Sequence, residues 1–264
     1  MTADKIQISY PDDMLTNQLE IVTNGCELKI HPQDIAEWLI ATTTGKVESN
    51  KKPRTETENH ITRVIFENIH SQLTNMFRVA ADTPVFKIDL SLNYKFDLVI
   101  DHFQDFMDVD LGHTQIRDLS ASVKTAHAHM NFSDPNPVTM RRFNLEGLSS
   151  RLEVRGLANA NFKELIFTGS AGSLMLYLDG KFQQDARIEL RAKEAPTTVY
   201  IPRGLAVQVR SEDGNLDSED IEFAVASDYT RKDGCYYTQA ALDGQSPQLD
   251  ILVTKQGPLE IDTI

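Results

Sequence analysis

The feature that most narrows the folds open to this chain is an internal period of 21 to 24 residues. Short alternating segments, Leu98-Val-Ile100, Leu119-Ser-Ala121, Phe143-Asn-Leu145, Leu165-Ile-Phe167 and Ile188-Glu-Leu190, start at spacings of 21, 24, 22 and 23 residues. A second set, Met107/Val109/Leu111, Ala128/Met130/Phe132, Leu152/Val154, Leu174/Leu176/Leu178 and Thr197/Val199/Ile201, follows the first by nine residues in every unit. Alternation at period two marks strands, and two strand types held in step over five units mark an architecture in which each unit covers the apolar side of its neighbour. A third apolar position, Ile116, Met140 and Phe162, precedes the first strand by three residues and fails at Asp185. The Leu-x-x-Leu-x-Leu-x-x-Asn frame of leucine-rich repeats is absent. The fold class this predicts is all-β, a right-handed parallel β-helix, a solenoid with 21–24-residue turns.

Between the two strands the sequence places small residues, Thr125-Ala126, Ser149-Ser150, Ala171-Gly172 and Glu194-Ala195, as a tight corner requires. His102-Phe-Gln-Asp105 departs from that pattern, so the first regular turn has a different corner. Val207/Val209, Gly214 and Leu216 continue the repeat, 221–237 is obscure, and Leu249/Ile251/Val253, Gly257, Leu259/Ile261 restore it. That ending mirrors Leu19/Ile21, Gly25, Leu28/Ile30 at the other end. Residues 1–84 read as a β-rich cap with the first irregular turns, and 85–264 as the body with a closing segment, together one continuous domain. The span 44–58, with Lys51-Lys-Pro-Arg54, reads as an exposed loop. In 65–77 two readings stay open: Ile65, Ile69, Leu73 and Phe77 at steps of four suit a helix, Arg63-Val-Ile-Phe66 suits a strand, and a pair of strands is favoured. The least regular parts, 1–78 and 221–264, are the candidates for caps over the open strand edges, and self-association through those ends is the expected oligomeric contact.

The run Phe162-Lys-Glu-Leu-Ile-Phe-Thr-Gly-Ser-Ala-Gly-Ser-Leu-Met-Leu-Tyr-Leu-Asp-Gly180, with Thr198-Val-Tyr-Ile-Pro-Arg-Gly-Leu-Ala-Val-Gln-Val209, resembles the bacterial toast-rack or adhesin-like β-helix domains. These are domains of unknown function, also found in the soluble part of cell-wall-active antibiotic response proteins. The similarity spans about 84–209, and 234–261 is similar to the family's closing segment. The family's corner is usually Gly-Ala-Gly; Gly169-Ser-Ala-Gly172 approaches it, while Ala126-His-Ala128 and Glu194-Ala195 depart. The resemblance implies a β-helix with a role in envelope-associated scaffolding, sensing or adhesion, and it carries no catalytic residues. Members of the response kind have membrane helices before the β-helix, and no apolar run of this chain approaches the ~20 residues of a span.

Charge narrows the partners. Lys and Arg number 26 against 39 for Asp and Glu, a net charge of −13, which repels nucleic acid and anionic lipid surfaces. No nucleic acid and no membrane insertion are expected, and a protein or glycan is the expected partner. Met1-Thr-Ala-Asp-Lys5 lacks the pattern of a signal peptide, so the chain as written is expected to be soluble and, if complete, cytoplasmic. Cys26 and Cys235 are too few for a disulfide framework and read as separate thiols, pairing across the fold being the alternative.

Among candidate sites, His127-Ala-His129 is the one close histidine pair, with both rings on one face of a strand. The repeat register turns Ala126, Ala128 and Met130 inward and both histidines outward, and stacks His129 between Asp108 and Glu153 on neighbouring turns. Asp108, His129 and Glu153 are a plausible ligand set for zinc or another divalent ion. The competing reading, and the one taken, is a solvated ladder of alternating charge, flanked by Phe106-His127-Arg151 and Asp110-Asn131-Arg155. Asp105, Asp108 and Asp110 imitate a calcium loop without its Gly and terminal Glu. Asp228 and Asp233 with Tyr229, Tyr236 and Tyr237 form a carboxylate and aromatic stretch of the kind that binds sugars, or a plain solvated loop. No nucleophile elbow, phosphate loop or dinucleotide fingerprint occurs, so no cofactor is expected. The reading reached is a non-enzymatic surface for binding, with Ile166, Tyr177 and Tyr200 as exposed contact rows. The alternative is a polysaccharide-active enzyme using paired carboxylates on the same scaffold.

Overall fold

The computed structural model describes residues 4–11, 17–45, 52–67, 83–212, 216, 223–225 and 228–264. The described residues are all-β, with 66% strand and 4% helix, in an open mixed sheet that joins parallel pairs through the body to antiparallel pairs at the ends. No described helix is long and apolar enough to cross a membrane.

The two strand rows read from the sequence are joined. Lys95–Asp110, Gln115–Asn131, Met140–Arg155 and Phe162–Tyr177 are each one strand of 16 or 17 residues carrying both apolar sets. Nine is an odd number, so on a flat strand Phe143 and Leu152 would face opposite sides. Both are buried. One residue at the corner takes a left-handed conformation and resets the alternation: Thr125, Ser149, Ala171 and Glu194 have φ of 54°, 52°, 58° and 62°. Ser149 is skipped in the pairing, which runs Leu148↔Ser170 and then Ser150↔Gly172. In the first unit Gln104 and Asp105 both adopt positive φ, which accounts for its atypical corner sequence. Each unit thus has a first arm before the corner and a second arm after it.

Stacking follows the repeat. Leu98, Leu119, Phe143, Leu165 and Ile188 pair in order through the first arms, as do Met107, Ala128, Leu152, Leu174 and Thr197 through the second. These residues, with their alternating neighbours, fill the core. Gly172 is required at its corner because its φ is 96° and a Cβ there would lie 2.0 Å from the Ser150 carbonyl oxygen. Gly172→Ala is therefore expected to destabilise by about 1–3 kcal/mol or more. Ala171→Gly relieves a left-handed alanine and should stabilise by up to about 1 kcal/mol. Urea unfolding of the two variants checks the opposite signs.

At both ends the spatial order departs from chain order. In the first arms the sequence of neighbours is 61–67, 18–24, 95–103, then the regular units to 186–193, then 248–256, then 206–211. The second arms repeat this as 85–91, 27–33, 105–110 at one end and 197–201, 259–263, 223–225 at the other. The opening segment, 18–33, and the closing segment, 248–263, are therefore inner layers. Val207 and Val209 do not stack on Ile188 as the reading in chain order expects; Leu249 and Ile251 lie between. The closing segment is accordingly not a terminal cap. Gly25 and Gly257 serve as the corners of these inserted layers, donating to the carbonyls of Phe103 and Ala192.

The outermost layers carry antiparallel pairs: Lys5–Ile8 on Leu39–Thr44, Leu39–Thr44 on Val85–Ser91, and Cys235–Tyr237 on the 206–211 layer. Residues 54–58 are a strand, not part of a loop: Arg54–Glu58 pairs with Ile61–Glu67 through a two-residue turn at Asn59 and His60, both with positive φ. Its five residues, Arg-Thr-Glu-Thr-Glu, are all exposed. It has no apolar face to announce a strand, and its charges discourage pairing with other chains. Residues 46–51, Gly214 and 68–77 lie outside the described residues, while 61–67 is strand. The third side buries Ile116, Met140 and Phe162, as the spacing predicts, and is tied by side-chain amides, with Asn136 Nδ2 donating to Ile116 O at 2.8 Å, Asn161 Nδ2 to Asn136 O at 3.2 Å and Gln184 Nε2 to Asn161 O at 3.1 Å.

One histidine is part of the core. His102 is fully buried, and its Nδ1 shares a 2.8 Å hydrogen bond with Thr23 Oγ1 of the opening segment. Its Nε2 has no partner among the described residues. Burial lowers the His102 pKa from 6.5 to about 4. The unfolded chain thus binds a proton that the folded chain refuses between those values. Stability is complete above about pH 6.5 and is lost as pH falls towards 4, by about 3 kcal/mol for this group. Urea unfolding across that range should show the loss, and His102→Leu should remove this component.

Candidate functional site

The outer side of the second arms brings together most residues singled out in the sequence. Asp108, His129 and Glu153 are neighbours on successive strands, as the repeat spacing requires. His129 Nε2 lies 3.8 Å from Glu153 Oε2, and Phe106 meets the His129 ring edge-on at 5.3 Å. The second oxygen of Glu153 accepts from Arg155 Nε. Phe106-His127-Arg151 and Asp110-Asn131-Arg155 form the flanking rows. Asp110 is occupied by the backbone, accepting from Gly112 N at 3.0 Å and Ser133 N at 3.1 Å. Among the described residues no three His, Cys, Asp or Glu side chains gather closely enough to hold a metal ion. Zinc at a hundredfold excess over a dissociation constant would stabilise the fold by about 2.7 kcal/mol. The expected result is no zinc-dependent thermal shift. A shift that is lost in His129→Ala and kept in His31→Ala would instead assign the metal to this row.

The same face continues into an aromatic ladder. The Arg155 guanidinium sits 4.2 Å from the Tyr177 ring centroid, and Tyr177 stacks on Tyr200 at 4.5 Å with 14° between planes. Tyr200 is in register with Asp262. Burial, followed by Tyr177 and Glu260, raises the Tyr200 pKa. The string Phe106, His129, Glu153, Arg155, Tyr177, Tyr200 crosses successive layers, so it is about 20 Å long at the spacing of hydrogen-bonded strands. Ile166 is not part of it: it lies on the first arms between Asn144 and Glu189.

The outer side of the first arms is an ion-pair lattice that sequence reading missed. A groove of about 520 Å³ there is lined by Gln18, Asp97, Asp118, Arg141 and Asn144 among others, none of them aromatic. Arg117 Nε donates to Asp97 Oδ1 at 3.1 Å, and Arg141 pairs with Asp118 and reaches Asp97 at 4.0 Å. Burial holds the Asp97 carboxyl above its usual range, against the pull of Arg117. Farther along, Glu189 is held below its usual range by its hydrogen bond from Arg191, and also accepts from Thr254. The signal available in the sequence was the alternation Asp118, Arg142, Glu164, Arg187 at repeat spacing.

Tyr229 and Tyr236 pack against the core, and burial raises the Tyr229 phenol. Arg231 lies 5.9 Å from the Tyr236 centroid, Asp233 forms a turn with φ of 50°, and Asp228 accepts the Thr263 hydroxyl at 3.2 Å. Cys26 is buried, Cys235 is half-buried, and no disulfide joins them.

No protein-family model matches this chain, and no curated protein does. Among solved structures, a candidate cell adhesion protein from Clostridium sporogenes ATCC 15579 aligns at 10% identity and TM-score 0.47, over 100% of this chain and 99% of its own. A candidate adhesin from Parabacteroides distasonis ATCC 8503 aligns at 10% identity and TM-score 0.39, over 98% and 96%. A candidate lipid-binding protein from the same organism aligns at 11% identity and TM-score 0.32, over 99% and 93%. At these TM-scores the likeness decides neither fold nor function.

Proposed function

We propose that the chain is a right-handed parallel β-helix of the adhesin-like kind, one continuous body, that works without catalysis by presenting the outer side of its second arms to a partner. The observation that carries this is the unbroken string from Phe106 to Tyr200, set at a constant rise on an exposed face. Regular rows of aromatic and charged groups suit an extended protein or glycan ligand. Envelope-associated scaffolding, sensing or adhesion is the role in keeping with such a surface. The ring faces of Tyr177 are taken by Arg155 and Tyr200, so this surface offers ring edges and hydroxyls more than stacking planes. Polysaccharide cleavage needs two carboxylates free to act beside the sugar, whereas Asp97 and Asp118 share Arg141.

The test is a glycan and peptide array probed with the wild type and with a face variant carrying Phe106→Ser, Tyr177→Ser and Met175→Ser, Met175 being in register with Glu153 on the next strand. Ligands retained by the wild type should be lost by the variant while its unfolding stays cooperative. Equal binding by both proteins would remove the second-arm face from consideration.

A further inference from the structure

The layers that precede Lys95 in the chain meet the regular body along one seam. Across it Leu19 and Ile21 stack on Leu98 and Ile100 in the first arms, and Leu28 and Ile30 on Met107 and Val109 in the second. The second-arm pairing at this seam covers three residues, 28–30, whereas 105–110 pairs over six with 126–131 on its other side. Charged groups beside the seam turn back into their own layers, Glu20 to Arg63 and Lys29 to Glu27.

A buried polar link crosses the seam, the hydrogen bond between His102 Nδ1 and Thr23 Oγ1. His102 is fully buried, and its Nε2 has no partner among the described residues. Its neighbours in register are Thr23 and Val123, with Phe66 beyond Thr23. Asp101 and Lys124 pair on the outer side of the same sheet, Glu27 and Asp105 line the outer groove at the corner, and the Cys26 thiol is buried in the same core. An imidazolium carries two N–H donors. Thr23 Oγ1 can accept one, and the other holds its charge in an apolar core without an acceptor. Opening the seam gives both donors to water.

We propose that this seam is an acid-operated joint: a proton on His102 releases the layers 18–33, 61–67 and 85–91 from the strand Lys95–Asp110 while the regular units stay folded. Release uncovers the hydrogen-bonding edge of Lys95–Asp110, and such an edge pairs readily with another chain. The row from Phe106 to Tyr200 lies on the body side, so the joint opens beside the proposed binding face without dismantling it. The sign follows from burial, which lowers the His102 pKa from 6.5 to about 4. The seam is tightest above about pH 6.5 and loosens as pH falls towards 4, its opening equilibrium rising roughly twentyfold from pH 7 to pH 5.

The experiment is urea unfolding of the full chain at pH 7 and pH 5, followed by two signals. Trp38, the single tryptophan, is buried against Tyr10 and against Phe96 of the body strand, so its fluorescence reports the joint. Far-UV circular dichroism follows the strands of the whole stack. At pH 5 Trp38 should be released at lower urea than the main dichroism loss, and its midpoint should move between the two pH values by the equivalent of roughly twentyfold. The main dichroism loss should stay in place. His102→Asn and His102→Leu, which cannot titrate, should lose the Trp38 shift, whereas His60→Gln, exposed at the hairpin turn, should keep it. Coincident transitions in the wild type at pH 5 overturn the joint, and they do so even where a His102 variant fails to fold. A Trp38 shift that persists in the His102 variants overturns it as well, by assigning the acid response to other groups.

Discussion

Leu176→Asp should abolish folding. Leu176 is fully buried at the middle of the second arm of its unit, between Val154 and Val199 on the strands to either side. An aspartate there has no cation in reach and loses its water, so the cost is several kcal/mol in whichever protonation state it adopts, on top of the lost burial of the leucine. Total stabilities of single domains are about 5–15 kcal/mol, so this one change is of the order of the whole. The contrast is its sequence neighbour. Tyr177 points outward, but it is half-buried between Arg155 and Tyr200, so Tyr177→Asp loses a cation–π contact and a ring stack and should cost about 1–2 kcal/mol. The check is soluble yield and urea midpoint of the two variants: insoluble against folded and mildly weakened. Equal stability would mean that the alternation along 172–177 is out of phase by one residue.

Such a contrast was legible before any coordinates because the period-two pattern and the 21–24-residue spacing together specify which side of each strand is inside. Leu98 to Ile188 and Met107 to Thr197 are paired as the spacing requires, and His127 and His129 are exposed as the register requires. Other parts were illegible for physical reasons. The third side showed its apolar positions Ile116, Met140 and Phe162, all buried, but the amides of Asn136, Asn161 and Gln184 that tie it follow no apolar period and so went unread. Trp38, buried among Tyr10 and Phe96, belongs to an aromatic cluster formed from segments far apart in the chain, and no local pattern marks it. The first-arm ion pairs were hidden because charged residues on an outer face look alike whether paired or solvated. Of the proposed binding surface, the Tyr177 and Tyr200 rows could be read as outward-facing, yet the cover that Arg155 lends Tyr177 came only from the register Arg155 shares with it.

The order of layers at the ends is the deepest of these gaps. Leu249, Ile251 and Val253 carry the same alternation as Val207 and Val209, so periodicity alone cannot say which of them stacks on Ile188 and Leu190. Parallel pairing between layers is blind to chain order, provided a connection is long enough, and residues 212–247 supply one. The result is that the closing segment has neighbours on both sides: Ile251 lies between Ile188 and Val209.

Ile251→Asp is therefore expected to be about as damaging as Leu176→Asp, although it sits 13 residues before the last residue of the sequence. Deletion of 234–264 should do more than uncover an edge. It takes away the only parallel partner that the strand Ala206–Ser211 has among the described residues, together with its antiparallel partner Cys235–Tyr237, and leaves Ala186–Lys193 unpaired on that side. Two hydrogen-bonding edges appear at once, and such edges recruit other chains, so aggregation is the expected outcome. Hydrogen exchange gives the direct measurement. In the full-length chain the amides of 249–253 should be protected as strongly as those of 165–176, because both are inner layers opened only by large-scale unfolding. A frayed terminal strand would exchange far sooner, and such exchange at Ile251 would remove the closing segment from the interior of the stack.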